Sequence, residues 1–320
     1  DVHPEIAARA ISAAQMVGLD LCGVDVMCES VLVPLENQSG GIIEVNAAPG
    51  LRMHLQPSFG KGRPVGEAVI STMFDERDDG RIPLVAVTGT NGKTSCAWWL
   101  AQALVCLGQR CAMVGTLGLG EVLMPPQQAV QLQGMNTGLT TPDAVLLQGA
   151  LRDFVQAGVR SCVIEASSIG LVEGRLDGTR IRIGVLTNFT QDHLDYHGDM
   201  DAYWQAKQRL FDWPGLEWAI VGIDDPKAIE LLHHLSHHRP QLKVLSYGLG
   251  SGAQLRAEGV RWQTMRDGQW GQSLTICHAD QRQPMEIPWV GEHNVRNLLA
   301  VIATLLALGH DFERACAACT

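Results

Sequence analysis

The segment GTNGKTS, residues 89–95, combines two glycines with a lysine and several hydroxyl-bearing side chains. Glycine-rich loops of this kind turn backbone N–H groups toward phosphate oxygens, and the first turn of a following helix adds a positive dipole end. Lys93 is then expected to contact the β- and γ-phosphates, and the Thr94 hydroxyl to bind Mg²⁺. The residues predicted to hold the nucleotide are Gly89, Thr90, Asn91, Gly92, Lys93, Thr94 and Ser95.

The residues around this loop predict the strand–loop–helix order that such a site requires. IPLVAVT is an apolar β-run before the loop, and CAWWLAQAL has the pattern of a helix after it. The generic phosphate-loop pattern G-x-x-x-x-G-K-[ST] is not fully met, because Val87 stands where its first glycine belongs. The longer string VTGTNGKTS in this context predicts a binding site for ATP and Mg²⁺.

Acidic and histidine side chains follow two later predicted strands. CVIEASS places Glu165 at the end of one strand, and VLTNFTQDHLDY places Asp192 and His193 just after the next. Ligands of doubly wound sheets bind at the carboxyl ends of the strands, so these residues are expected beside the phosphate loop. A carboxylate there suits a hard cation such as Mg²⁺. A strand-end salt bridge for Glu165 and a helix cap for His193 remain alternatives.

The pattern along the chain predicts an α/β fold: a P-loop-type, mainly parallel sheet with helices on both faces. Strand-like and helix-like runs alternate after residue 81, and 252–290 is typical of a small antiparallel addition. The charged segment DERDDGR, 75–81, is the predicted linker. We therefore expect a first domain over 1–74, an ATP-binding domain over 82–310, and the start of a further C-terminal region at 311–320.

Composition narrows the class of protein. The net charge of −10 and a pI near 5.5 argue against nucleic acid as a partner. No apolar run approaches the roughly 20 residues that span a bilayer, so no membrane partner is expected. The nine cysteines occur mostly singly in apolar stretches, which indicates a reducing cytoplasm. The sequence does not begin with Met, which predicts that it starts within a longer protein.

Four strings after residue 81 together resemble the central ATPase domain of the Mur ligases, over about 81–310. They are VTGTNGKTS, EASSIGL, TNFTQDHLDYHGDMDAYWQAK and GEHNVRNLLA. The resemblance is greatest to the members that add the third residue to UDP-N-acetylmuramoyl-L-Ala-D-Glu, the MurE type. It implies an ATP-dependent ligase that joins a carboxylate to an amine through an acyl phosphate. The implied partners are a UDP-muramoyl peptide and an amino acid.

The resemblance also assigns roles to individual residues. Lys93 and Thr94 would hold the ATP phosphates and the first Mg²⁺, with Glu165 as a further ligand of that ion. His193 would serve a second Mg²⁺ together with Lys207, which matches the lysine that family members carbamylate. Carbamylation turns the cation into a long-armed carboxylate, provided that the amine first loses its proton. The residues implied to contact adenine are Asn294 and Asn297.

The muramoyl substrate is assigned to a third set of positions. The matching residues are Thr140, Thr141, Ser167 and Arg175. Two positions depart from the family pattern, since Ile169 stands where many relatives have His and Glu173 where some have Gln. The identity of the incoming amino acid is not encoded in these motifs.

The first eighty residues resemble a different kind of protein. GVDVM and GGIIEVNAAPGLRMHL are similar to the last part of an ATP-grasp domain, above all in cyanophycin synthetase, which joins such a module to a Mur-ligase-like one. The resemblance implies that Asp25, Glu44 and Asn46 are Mg²⁺ ligands, and three oxygen ligands on adjacent strands suit that ion. An ordinary polar strand end is the alternative.

Two further functions therefore stay open. The module order favours cyanophycin synthesis, with a poly-aspartate acceptor and arginine, whereas SS after Glu165 favours the MurE type, because the cyanophycin family generally has GG there. A natural hybrid, an unusual family member and an artificially joined chain all fit this mixture. The chain is also compatible with ATP binding without turnover.

Overall fold

The computed structural model describes residues 2–73, 80–124, 129–265 and 268–319. Contacts divide the chain into two compact units, Asp1–Asp79 and Gly80–Thr320. Most of the predicted linker 75–81 lies outside the described residues. Among the described residues, no helix has the length and apolar character needed to cross a membrane.

Within its described residues, the first unit has a two-stranded antiparallel sheet and three α-helices. Its elements are α1 (Pro4–Val17), β1 (Gly23–Met27), β2 (Gly41–Asn46), α2 (Arg52–Leu55) and α3 (Val65–Met73). Helix α1 begins with proline in its first turn, where the missing N–H costs nothing, and ends at Gly18, whose φ of +78° suits glycine. The helix and both strands predicted before residue 50 are confirmed.

The second unit contains eleven strands and eight helices within the described residues. Its strands are β3 (Leu84–Thr88), β4 (Cys111–Gly115), β5 (Gly118–Leu123), β6 (Gln131–Met135), β7 (Ser161–Glu165), β8 (Ile181–Leu186), β9 (Trp218–Gly222), β10 (Lys243–Gly248), β11 (Leu255–Thr264), β12 (Trp270–His278) and β13 (Gln281–Ile287). Its helices are α4 (Lys93–Cys106), α5 (Ala144–Gln156), α6 (Ser168–Val172), α7 (Leu194–His197), α8 (Met200–Gln208), α9 (Pro226–His238), α10 (Glu292–Ala307) and α11 (Phe312–Ala317).

All eleven strands form one sheet in the order β13-β12-β11-β10-β9-β8-β3-β7-β4-β5-β6. The strands from β11 to β4 in this order pair in parallel, and antiparallel strands extend both edges. The mainly parallel sheet predicted from the alternation is confirmed, as is the antiparallel addition over 252–290. The ribbon β5–β6 at the other edge was not predicted from the sequence.

Two hydrophobic clusters cover the two faces of this sheet. Strand β3 is buried throughout, and its alternate residues enter different clusters: Val85 and Val87 pack toward α4 and α10, whereas Leu84 and Ala86 pack toward α5, α8 and α9. A strand buried on both faces is expected to be apolar without alternation, as LVAVT is. Helix α11 also enters the first cluster, so residues after 311 contribute to the core of this unit.

Candidate functional site

The phosphate loop joins β3 to α4 and is held against the loop that follows β8. The backbone N–H of Thr190 donates a hydrogen bond to the hydroxyl of Thr90 at 2.9 Å. The backbone N–H of Asn91 donates one to the side-chain oxygen of Asn188 at 2.9 Å. Gly89 has a φ of +138°, and a Cβ there would collide with the Thr187 hydroxyl. Glycine is therefore required for the close approach of these two loops.

Lys93 is the first residue of helix α4, and its side chain folds back onto the phosphate loop. Its ammonium group donates to the carbonyls of Gly89 and Thr90 at 3.1 and 2.9 Å. Burial lowers the pKa of Lys93, while the charges of Glu165 and Asp192 oppose the shift. The lysine thus lies at the predicted phosphate end of the loop, with acidic groups close enough to affect its titration.

Glu165 ends β7 and is buried beside the start of α4. Its Oε2 accepts the Thr94 hydroxyl at 2.9 Å, and its Oε1 accepts the backbone N–H of Thr116 at 2.8 Å. Burial raises the pKa of this carboxyl group, whereas its hydrogen bonds and the charge of Lys93 lower it. Thr94 and Glu165, predicted from separate motifs, lie together. Thr116 was missed because β4, the strand that delivers it, was not predicted.

Lys207 lies on α8 with 1% of its surface exposed. Its amine donates to the carbonyl of Gly89 at 2.8 Å and lies 4.4 Å from the centre of the Tyr203 ring. Burial, reinforced by the charge of Lys93, lowers the pKa of Lys207 to about 6. The amine is therefore mostly neutral at neutral pH, which is the form that reacts with carbon dioxide.

His193 also lies near the Tyr203 ring, and its side chain is 43% exposed. The two rings are 6.1 Å apart in an edge-to-face arrangement. The backbone of His193 has a φ of +51° at the residue before α7, and its Nε2 is 3.5 Å from the carboxylate of Asp192. Lys207 and His193 are thus neighbours of one aromatic ring.

The oxygen donors at the loop fit Mg²⁺ bound together with phosphates. Within the described part of the chain, no group of three or more His, Cys, Asp or Glu side chains is arranged to hold a metal ion. Magnesium, however, is usually bound through one or two carboxylates while phosphates and water complete the octahedron. The buried Glu165 carboxylate and the Thr94 hydroxyl provide such a partial set.

A cavity of about 620 Å³ lies beside the loop, at the carboxyl ends of the strands. Its volume is within the usual range for small-molecule sites. The lining residues are Asn91, Gly92, Ser95, Thr187, Asn188, Thr190, Gly222, Asp224, Asp225, Tyr247, His293, Asn294, Arg296 and Asn297. The predicted adenine residues are therefore beside the phosphate loop. Asp224 and Arg296, joined by an ion pair of 2.7 Å, were not predicted.

Three of the four residues predicted for the muramoyl substrate, Thr141, Ser167 and Arg175, are joined by direct hydrogen bonds, and Thr140 is linked to them through Thr116 and Glu165. Thr141 donates to the carbonyl of Glu165 at 2.7 Å and lies 3.0 Å from the Ser167 hydroxyl. Arg175 donates to the carbonyl of Thr141 at 2.8 Å and forms an ion pair with Glu173. The hydroxyl of Thr140 lies 3.1 Å from that of Thr116. Glu173 is therefore the internal partner of the only cation in this set.

In the first unit, the three predicted metal ligands lie on one face of the ribbon β1–β2. Asp25 is directly opposite Glu44, and Asn46 follows two positions along β2, where side chains return to the same face. The amide of Asn46 donates to Glu44 at 3.2 Å.

Comparison with known proteins supports the interpretation of the second unit. The Mur ligase middle domain family matches residues 87–305. The UDP-N-acetylmuramoyl-L-alanyl-D-glutamate–2,6-diaminopimelate ligase of Acidovorax sp. (strain JS42) is 46% identical over 266 residues, covering 81% of this chain and 50% of that protein. The ligase of the same name from Pseudomonas putida is 32% identical over 324 residues, covering 98% of this chain and 60% of that protein.

A solved structure of a UDP-N-acetylmuramoyl-L-alanyl-D-glutamate–2,6-diaminopimelate ligase aligns with a TM-score of 0.65 at 34% identity, covering 74% of this chain and 45% of that one. The chain spans about half the length of the curated relatives that it matches. The family match alone covers more than half of this chain and includes the phosphate loop, Glu165, His193 and Lys207. The chain belongs to the Mur ligase family.

Proposed function

We propose that the chain carries the ATP site and the acceptor site of a ligase that adds an amino acid to UDP-N-acetylmuramoyl-L-Ala-D-Glu. The relatives from Acidovorax and Pseudomonas are named for this type of reaction, with 2,6-diaminopimelate as the amino acid. One observation carries the proposal: Glu165 joins two sites. Its side chain accepts a hydrogen bond from the Thr94 hydroxyl of the phosphate loop. Its backbone carbonyl accepts one from the Thr141 hydroxyl of the acceptor cluster, by which we mean Thr140, Thr141, Ser167 and Arg175.

The chemistry requires such a junction. A carboxylate accepts an amine only after one of its oxygens has become a leaving group, and transfer of the ATP γ-phosphoryl group to the acceptor makes that acyl phosphate. Mg²⁺ held by Thr94 and Glu165 would neutralise charge during this transfer. Lys93 and the N–H groups at the start of α4 supply further positive potential at the phosphates. Arg175 orients the acceptor, since its guanidinium can bind a carboxylate or phosphate through two hydrogen bonds.

We propose that Lys207 is carbamylated and that the resulting carboxylate, with His193, holds a second Mg²⁺. The support is the environment of the amine: burial and Lys93 favour its neutral form. Both side chains lie near the Tyr203 ring: the Lys207 amine is 4.4 Å and the His193 ring 6.1 Å from its centre.

In the cavity beside the phosphate loop, we propose that Asn294 and Asn297 face the adenine ring. The amide N–H₂ of Asn294 already donates to the carbonyl of Val290 at 2.9 Å, which leaves its oxygen to accept a hydrogen bond from the amino group of the base.

Nine free thiols are compatible with a cytoplasmic location, which we also propose.

Phosphate release with defined acceptors tests the function. ATP, Mg²⁺ and candidate amino acids are supplied with either UDP-N-acetylmuramoyl-L-Ala-D-Glu or a poly-aspartate primer. The muramoyl peptide is expected to stimulate release, and Arg175→Ala to raise the acceptor concentration required. Stimulation by the poly-aspartate primer alone, unchanged in Arg175→Ala, would contradict the proposal.

A cyanophycin-type activity is the second candidate, and the first unit favours it. Asp25, Glu44 and Asn46 share one face of a two-stranded ribbon, as expected for Mg²⁺ ligands at the end of an ATP-grasp domain. We accordingly propose that 1–74 and 82–310 belong to separate domains, the second of which also includes helix α11. Loss of poly-aspartate-dependent phosphate release in Glu44→Gln would support this candidate. Nucleotide binding with no release under any acceptor would instead indicate a binding module.

A further inference from the structure

Thr116 makes two of the hydrogen bonds that hold the Glu165 carboxylate. Its backbone N–H donates to Oε1 at 2.8 Å, and its hydroxyl lies 3.3 Å from Oε2. Thr116 directly follows β4, and Gly115 before it permits the contact, because a Cβ at Gly115 would lie only 2.8 Å from the Cγ and Cδ atoms of Glu165. The Glu165 carboxylate therefore packs against the end of β4 and is hydrogen-bonded there by Thr116.

The same hydroxyl extends the network toward the acceptor cluster. It lies 3.1 Å from the hydroxyl of Thr140. An ionised carboxylate only accepts hydrogen bonds, so Thr116 must donate to Glu165. Its single hydroxyl hydrogen is then used, and Thr140 must donate to Thr116. The hydrogen bonds therefore run in one direction, from Thr140 of the acceptor cluster to Thr116 and from Thr116 to Glu165 beside the phosphate loop.

We propose that Thr116 is a positioning residue that orients Glu165 toward the Mg²⁺ of the nucleotide and links this orientation to Thr140. The inference rests on the proposed ATP site. The Thr94 hydroxyl also donates to Oε2, so the hydroxyls of Thr94 and Thr116 approach one carboxylate oxygen from the nucleotide and acceptor sides. Loss of a group that orients a metal ligand commonly lowers metal affinity by about 10- to 100-fold.

The test measures nucleotide binding rather than turnover. Titration calorimetry with a non-hydrolysable ATP analogue, at a series of Mg²⁺ concentrations and in EDTA, separates metal-dependent from metal-free affinity. Thr116→Val keeps the backbone N–H and removes only the hydroxyl, so the Mg²⁺ concentration for half-maximal enhancement is expected to rise about tenfold, at the low end of that range. Metal-free affinity should not change. Thr116→Ser keeps a hydroxyl at this position, so the Mg²⁺ concentration for half-maximal enhancement is expected to match that of the parent within about twofold.

Thr137→Val is the matched control, because the Thr137 hydroxyl bonds only to Leu139 within its own loop among the described contacts. A Thr116→Val protein with the Mg²⁺ dependence of the parent overturns the inference, as does an equal loss of metal-free and metal-bound affinity. Thr140→Val should add nothing to Thr116→Val, since both act through one chain of hydrogen bonds. Full additivity overturns the link to the acceptor cluster. A parent protein that binds no analogue refutes the ATP site itself, which is a separate outcome.

Discussion

Replacing Lys207 by methionine is expected to flatten the pH dependence of stability in the second unit. The buried amine has a pKa lowered to about 6, whereas an ordinary lysine in the unfolded chain titrates near 10.5. Between these two pKa values the unfolded chain binds a proton that the folded protein does not bind. The free energy of unfolding of the parent protein must therefore rise with pH between these two pKa values. The contribution of Lys207 to stability is least favourable below about pH 6, where the buried amine is charged.

The size of the effect follows from the lowered pKa. Each pH unit within the window changes the free energy of unfolding by about 1.4 kcal/mol for one such group. From pH 6.5 to 8.5 the gain is about 2.5 kcal/mol, slightly less than two full units because part of the folded protein still binds the proton near pH 6.5. Methionine has a long, flexible side chain but no proton to bind, so the Lys207→Met variant should lack this gain.

Urea unfolding followed by tryptophan fluorescence measures the difference at both pH values. All eight tryptophans follow residue 80, so the signal reports the second unit. Buffers free of carbon dioxide keep the amine unmodified. Lys243→Met is the control, because it removes an exposed lysine that lies over the Trp218 ring. Parallel curves of stability against pH for the parent and Lys207→Met would refute the argument that Lys207 is neutral in the folded protein.

Three further outcomes are expected. Lys93→Ala should abolish binding of Mg·ATP while lowering the free energy of unfolding by about 1–3 kcal/mol, as calorimetry and urea unfolding can check, because two hydrogen bonds to loop carbonyls are lost. Bicarbonate should raise activity, and Lys207→Ala should lose activity that short carboxylic acids partly restore; normal activity of this variant without additives would disprove carbamylation. Glu173→Gln keeps the shape of the side chain but frees the charge of Arg175, so the KM for an anionic acceptor should fall about tenfold with kcat unchanged. A raised KM would show that the ion pair positions Arg175 instead.

The sequence alone determined the strand, phosphate loop and helix of the proposed nucleotide site. The apolar run LVAVT, the glycines beside it and the helix that follows are local features, and each has the same physical consequence in any compact α/β fold. The acid at the end of β7 could be placed for the same reason, because parallel strands bring their carboxyl ends to one edge. The resemblance to Mur ligases rested on these local strings and is confirmed.

Only the tertiary structure decided how those groups affect one another. Thr116 reaches Glu165 because β4 pairs with β7, and CAMVG was not among the runs predicted to be strands. Likewise, nothing local to Lys207 predicts its burial: its amine lies under Gly89, more than a hundred positions earlier, and beside the charge of Lys93. Desolvation and Coulomb interactions depend on distance in space, whereas sequence patterns report only neighbours along the chain.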